Sequence, residues 1–125
     1  MVMNAQQSYP TLGKIISYDA SFAAIVSAGA KIEVLATGIK WAEGPVWVKD
    51  GCYLLFSDAP QNTIFRWDEK GGLQVFLKPS GYTGLGAYSD EPGSNGLLVN
   101  PQGELVACEH GDRRISKMRL AGGAR

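Results

Sequence analysis

Histidine is nearly missing from these 125 residues, His110 being the only one. Any Ser-His-Asp or Cys-His relay would have to run through it. There is no Gly-x-Ser-x-Gly elbow, and neither Cys52 nor Cys108 has a basic neighbour to stabilise a thiolate. These absences argue against covalent nucleophilic catalysis. Cysteine is scarce too: the two residues form no CxxC pair of the metal-binding kind, and a mutual disulfide is not expected. Cys108, in the strand-like LVAC, reads as a buried apolar residue, and Cys52 as a half-exposed turn neighbour. Charge of one sign is lacking, since twelve basic residues balance twelve acidic ones. That disfavours nucleic acid as a partner, which would want a basic face. No apolar run approaches the length needed to span a bilayer, so no membrane partner is expected. The cytoplasm is the expected compartment, with periplasm or secretion left open.

Glycine, by contrast, is plentiful. Sixteen residues, about twice ordinary usage, point to many tight turns and little helix. The stretch EGPVWVKDG from Glu43 to Gly51 recurs as NGLLVNPQG from Asn95 to Gly103, 52 residues on. Without a gap, Gly44 falls on Gly96, Val46 on Leu98, Gly51 on Gly103 and Leu54 on Val106. After one deletion Ile64 falls on Ile115. Short alternating strands repeated at this period are the pattern of β-propeller blades.

Taken in order, residues 1–30 show no strand alternation and few charges. Lys14 and the apolar patch ending in SAGA have some likeness to a signal peptide, but Asp19 interrupts the patch and a basic start is missing. A short helix over Ala20 to Val26 is the expected form of this leader. KIEVLAT, from Lys31 to Thr37, alternates and reads as a closing strand that completes a blade from the other end of the chain. PVWV (45–48), YLLFS (53–57), TIFRW (63–67) and LQVFL (73–77), separated by turn formers, predict a first four-stranded blade over 43–77. A Gly-rich loop over 78–96 lacks the GxGxxG order of a phosphate cradle. LLVN (97–100), ELVACE (104–109) and RRISKM (113–118) predict three strands of an incomplete second blade over 95–125. With two blades in hand, the sequence reads as the first third of a larger propeller. Its unpaired strand edges make self-association an expected behaviour.

In a propeller blade the innermost strand lines the central channel, so residues entering it sit at the channel mouth. Glu43 and Asn95 occupy equivalent places there and bring a carboxylate and an amide carbonyl, which are hard oxygen ligands suited to calcium. Each also has a plain structural alternative: Glu43 bonded to nearby amides, Asn95 a turn residue before Gly96. His110 and Asp58, taken as its counterpart in the first copy, follow the second strands and share that end of the blades. They are substrate-contact candidates or simple turn residues. Tyr82 and Tyr88 either cover a ligand or pack their own loop. The cluster Asp112, Arg113 and Arg114 reads as a solvated hairpin rim. Trp41, Trp47 and Trp67 fill space between blades, or, for Trp41, wall a cavity.

The segments WAEGPVW, YLLFSD, PSGYTG, EPGSNGL and CEHGDRR, in this order, resemble the family of gluconolactonases, regucalcin (senescence marker protein) and related calcium-dependent lactonases, over about Ile32 to Met118. The resemblance implies an all-β, six-bladed propeller of which this chain carries about two blades. It implies a divalent cation, usually calcium, in the channel, and the opening of a lactone or related ester, a small-molecule substrate. Glu43 matches the first metal-ligating carboxylate of the family and Asn95 an asparagine that touches metal or substrate. An acid/base aspartate and a further asparagine ligand come from later blades and have no counterpart here, so weak metal binding and little hydrolysis are expected of these residues alone. Organophosphate hydrolysis on the same fold, or a non-catalytic binding propeller, are the alternatives. Glu43→Gln separates the last from a lactonase, which would lose metal and activity together.

Overall fold

The computed structural model describes residues 8–120, in two compact units that divide between Thr37 and Gly38. What the sequence suggests for residues 1–7 and 121–125 lies outside the described residues.

The first unit has little regular structure. A 3-10 helix spans Ala20–Ala24, shorter than the segment predicted to be helical, and buries none of its residues. Asp19 starts it: the carboxylate accepts from the Ser21 amide (2.8 Å) and the Ser21 hydroxyl, satisfying a donor the first turn leaves open. These bonds hold the Asp19 carboxyl below the usual carboxylate range. Residues 31–37, read as a closing strand, form no regular strand among the described residues. Only Glu33 makes an isolated antiparallel bridge, to Thr11, flanked by Leu12 N–H to Ile32 O (2.9 Å) and Val34 N–H to Pro10 O (2.8 Å). Alternation fixes which side chains share a face but not which neighbour a strand pairs with. Here the partner is a local one, Pro10 to Leu12.

The second unit is all β. Strands β1 (Ala42–Val48), β2 (Tyr53–Asp58), β3 (Thr63–Asp68) and β4 (Gly72–Leu77) form a first up-and-down antiparallel sheet. Strands β5 (Ser94–Val99), β6 (Glu104–Glu109) and β7 (Arg114–Arg119) form a second. Turn chemistry sets the corners. The Asp68 carboxylate accepts from the amides of Lys70 (3.0 Å) and Gly71 (2.7 Å), and Gly72 follows at φ 62°, a left-handed conformation glycine adopts without a Cβ penalty.

The core lies between the sheets. Val48, Tyr53, Leu55 and Ile64 of the first sheet close on Leu105 of the second, with Leu97, Val99 and Met118 packed around them. Leu55 and Ile64 are sealed completely, and burial of such side chains stabilises by about 1.5–3 kcal/mol each. Arg66 stacks its guanidinium 4.1 Å from the Tyr53 ring centroid at the edge of this core.

The strand pairing corrects the register of the repeat. Val46 pairs with Leu55, and Leu98 pairs with Val106, so Leu55 is equivalent to Val106 and Leu54 to Leu105. The one-residue deletion falls in the first hairpin. Its turn holds four residues between the paired Val48 and Tyr53, with Cys52 left-handed at φ 49°, but three between Asn100 and Glu104, closed by Asn100 N–H to Glu104 O (3.0 Å). Consequently Ala42 pairs with Asp58 where Ser94 pairs with Glu109. The counterpart of Asp58 is Glu109, not His110, and that of Cys108 is Ser57. Cys108 is also exposed, not buried, and both cysteines are free.

Candidate functional site

Both innermost strands carry a bulge at the same place. The register slips between Glu43 and Val46 in β1, where Gly44 sits at φ 57°, and between Ser94 and Leu97 in β5. A bulge bends a strand and re-aims the residue beside it. Here the two residues so placed are Glu43 and Asn95. The strands nearly touch at this level: a Cβ on Gly44 would lie 2.5 Å from the Asn95 carbonyl oxygen and 3.0 Å from the Leu97 nitrogen. Only glycine allows that approach.

Asn95 is held from behind by serines. Ser57, which pairs with Glu43 across β1 and β2, donates its hydroxyl to the Asn95 carbonyl (2.8 Å) and lies 2.8 Å from the Ser94 hydroxyl. Ser57, Ser80 and Ser94 are fully buried, and the Ser80 hydroxyl accepts from the Ser94 amide (3.0 Å). The Asn95 side-chain oxygen, in contrast, is sealed from solvent with no hydrogen-bond donor on it. A buried carbonyl without a partner costs about 1–3 kcal/mol and calls for a ligand, a water or an ion.

Asp58 and His110 sit at the same end of the sheets as Glu43 and Asn95. Asp58 is fully buried, and its carboxylate accepts from the Lys40 amide (2.8 Å) and the Gln61 side chain (2.6 Å). Its oxygens are engaged in holding the turn after β2. His110 is exposed, its Nδ1 2.9 Å from the Glu91 carbonyl oxygen. Tyr82 stacks on Tyr88 at 4.8 Å between centroids, and the His110 ring meets Tyr88 edge-on at 6.4 Å. Arg113 donates to the Tyr88 hydroxyl (3.0 Å). The structure thus places Glu43 and Asn95 at equivalent bulges of neighbouring strands, and links Tyr82 to His110, in the turn after β6, through Tyr88. Among the described residues, no three His, Cys, Asp or Glu side chains converge as a metal-type cluster.

Several residues that order this mouth carried no clear sequence signal. Asn62, left-handed at φ 52°, accepts with its side-chain oxygen from the amides of Ser80 (2.9 Å), Gly81 (2.8 Å) and Tyr82 (3.2 Å) and returns a bond to the Tyr82 carbonyl (2.9 Å). Asp112 accepts from the Thr83 amide (3.0 Å) and hydroxyl (2.7 Å). The 78–93 loop is therefore pinned at its start by Asn62 and Asp112. Glu109 is buried and binds Arg114 (2.7 Å) and the Ser116 hydroxyl, while Arg114 also reaches Asp112 (3.2 Å). The bond from Glu109 raises the Arg114 pKa above its ordinary value. The charges read as a solvated rim are tied into this network, because the topology brings the loop down onto the β6–β7 hairpin.

Two up-and-down sheets, packed face to face with equivalent bulged inner strands, are successive blades of a β-propeller. Residues 41–123 match the family described as SMP-30/Gluconolactonase/LRE-like region, and the chain belongs to that family. A gluconolactonase of Zymomonas mobilis is 44% identical over 111 residues, which are 86% of this chain and 31% of the relative. An X-ray structure of a provisionally assigned gluconolactonase superposes with a TM-score of 0.71 at 36% identity, over 86% of this chain and 33% of that one. A gluconolactonase of Xanthomonas campestris, described as important in secondary glucose metabolism, gives 0.67 at 27% identity, over 95% and 35%. The chain thus spans about a third of the length of these relatives. No helix among the described residues is long and apolar enough to cross a membrane.

Proposed function

We propose that this chain supplies part of the cation site and substrate mouth of a hydrolase that opens a sugar lactone or a related ester. The observation that carries this reading is the Asn95 side-chain oxygen, buried and without a donor, on the strand beside Glu43. A hard carboxylate and a hard carbonyl on adjacent bulged strands suit a divalent cation, most of all calcium. Glu43 and Asn95 would hold it, and the bound ion would supply Lewis-acid polarisation of the lactone carbonyl.

The remaining residues shape what surrounds that point. Ser57 and Ser94 fix the Asn95 backbone, so the amide oxygen is presented without a reorganisation cost at binding. Tyr82 and His110 offer a stacking face and a ring nitrogen to a sugar-like substrate at the rim. Asp58 contributes by keeping the β2–β3 turn in place under that rim.

Calcium titration by calorimetry on the full chain, with Asn95→Ala and Glu43→Gln beside it, tests this, followed by lactone hydrolysis with the same samples. Both variants are expected to lose calcium binding. Asn95→Ala should leave the metal-free fold as stable or slightly more so, because it removes an unsatisfied buried carbonyl. Undiminished calcium binding in Asn95→Ala, together with a less stable metal-free fold, would show that the oxygen serves packing alone.

A further inference from the structure

The two copies of the repeat hold the approach to their inner strands in different ways. In the first copy the Asp58 carboxylate accepts from the amide of Lys40 (2.8 Å), which lies just ahead of Ala42. The strand pairing makes Ala42 equivalent to Ser94 and Asp58 to Glu109, so the counterpart of Lys40 is Pro92. Proline has no N–H, and the bond of the first copy therefore has no donor in the second. Glu109 is bound instead by Arg114 (2.7 Å) and the Ser116 hydroxyl.

The start of the preceding loop takes over that task. Ser80, fully buried, accepts the Ser94 amide on its hydroxyl oxygen (3.0 Å). Ser80 is fixed in turn by Asn62, whose backbone and side-chain oxygens both accept from the Ser80 amide, at 3.0 and 2.9 Å. A Cβ on Gly81 would collide with the Gly93 carbonyl and lie 2.5 Å from the Ser94 nitrogen, so the loop start and the entry to β5 touch backbone to backbone.

The consequence falls on Asn95. Regular pairing of β5 with β6 stops at Ser94 and resumes at Leu97, leaving Asn95 and Gly96 in the bulge. Two bonds stand in for the ladder there: Ser80 takes the N–H of Ser94, and Ser57 gives its hydroxyl to the carbonyl of Asn95 (2.8 Å). Only the backbone angles of Ser94 and Asn95 lie between these fixed points, and they set the direction of the Asn95 Cα–Cβ bond. We propose that Ser80 is a positioning residue for Asn95, acting through the Ser94 amide to aim the side-chain oxygen. Its service to a cation rests on the function proposed above; the aiming itself does not.

The side-chain amide signals of Asn95 in a nitrogen-proton correlation spectrum report the aiming without calcium. Ser80→Ala should move them. Ser80→Thr keeps the hydroxyl and should leave them in place, even where its extra methyl lowers the stability of a filled site. Thr63→Val is the control, since Thr63 is equally buried and its hydroxyl bond, to the Gln61 carbonyl (2.8 Å), stays within the β2–β3 turn. Losing that bond should cost stability without moving Asn95. Should Ser80→Ala not fold, Ser80→Cys, a weaker acceptor, should still move the same signals. Calcium titration of these samples should show about tenfold weaker binding in Ser80→Ala and no change in Thr63→Val. Signals that stay put in Ser80→Ala, or that move as far in Ser80→Thr or Thr63→Val, would overturn the proposal. Moved signals in a chain that binds no calcium even as wild type would sustain the positioning and remove the cation reading instead.

Discussion

The hydroxyls of Ser57 and Ser94 meet at 2.8 Å across the seam between the two sheets, both residues being fully buried. Ser57 has one hydroxyl proton and donates it to the Asn95 carbonyl, so Ser94 is the donor in the serine pair. The result is a directed chain, Ser94 to Ser57 to Asn95, that locks the bulged stretch of β5 to the first sheet. Ser57→Ala leaves the Ser94 hydroxyl and this lobe of the Asn95 carbonyl without their partner. The expected cost is about 1–3 kcal/mol in urea unfolding, with weaker calcium binding wherever the wild type binds it.

Leu55 is the most central test of the seam, sealed in the core between the sheets. Leu55→Ala should lower stability by about 2–5 kcal/mol. Leu98→Ala, on the outer face, should change the unfolding of the monomer by less than about 0.5 kcal/mol. Equal losses at the two positions would contradict the packing described.

Much of the fold was legible in the sequence, and the errors have definite causes. The strands follow alternation, and the repeat placed Glu43 and Asn95 in equivalent positions because two glycines and an apolar pattern mark the same bulged strand twice. The register of β6 was not legible to the residue, since hairpin length depends on whether the turn closes across Val48 and Tyr53 or across Asn100 and Glu104. That one-residue difference transferred the role of Asp58 from Glu109 to His110. Cys108 looked buried because LVAC is apolar, and burial depends on what packs against a face, which a strand's own residues do not encode. Asn62 was invisible as the anchor of the 78–93 loop, being one polar residue in a polar turn.

Asn62 leads to a dynamic prediction. Its side chain takes three successive amides of the loop and gives one bond back. Asn62→Ala removes all of these and puts alanine at φ 52°, where a Cβ is disfavoured. The loop should exchange its amides faster and be cut sooner by protease between residues 83 and 90, with β2 and β6 still protected. Uniform loss of protection would mean that the loop and the sheets open as one unit.

Acid should act on the surface carboxylates that the fold favours in ionised form. Asp68 has its pKa lowered first by the Gly71 amide and further by Lys70 and Arg66, and Glu104 by Asn100 and Lys117. A lowered folded-state pKa means that stability is fully present above the unfolded-state value, about 4, and is lost as pH falls through the folded value. Urea midpoints should therefore drop between neutral pH and about pH 3, and the drop should be smaller in Asp68→Asn. An unchanged drop would place the acid sensitivity elsewhere.

Gly44 offers the sharpest test of the site, because one methyl group there separates fold from function. Its φ of 57° is a conformation that alanine adopts only with strain, and the added Cβ would lie 2.5 Å from the Asn95 carbonyl oxygen. Neither atom can yield without shifting a strand, since Asn95 is held from the other side by Ser57. Gly44→Ala should therefore destabilise by more than about 1 kcal/mol and push β5 away from β1, moving Asn95 relative to Glu43. Gly103→Ala is the control: it also has positive φ, 74°, but its Cβ would meet open space. It should cost a comparable backbone strain and leave the proposed calcium binding as it was. If both variants lose calcium equally, general destabilisation explains the loss. If Gly44→Ala alone loses it, the close approach of the two bulged strands is what sets the distance between the two proposed ligands.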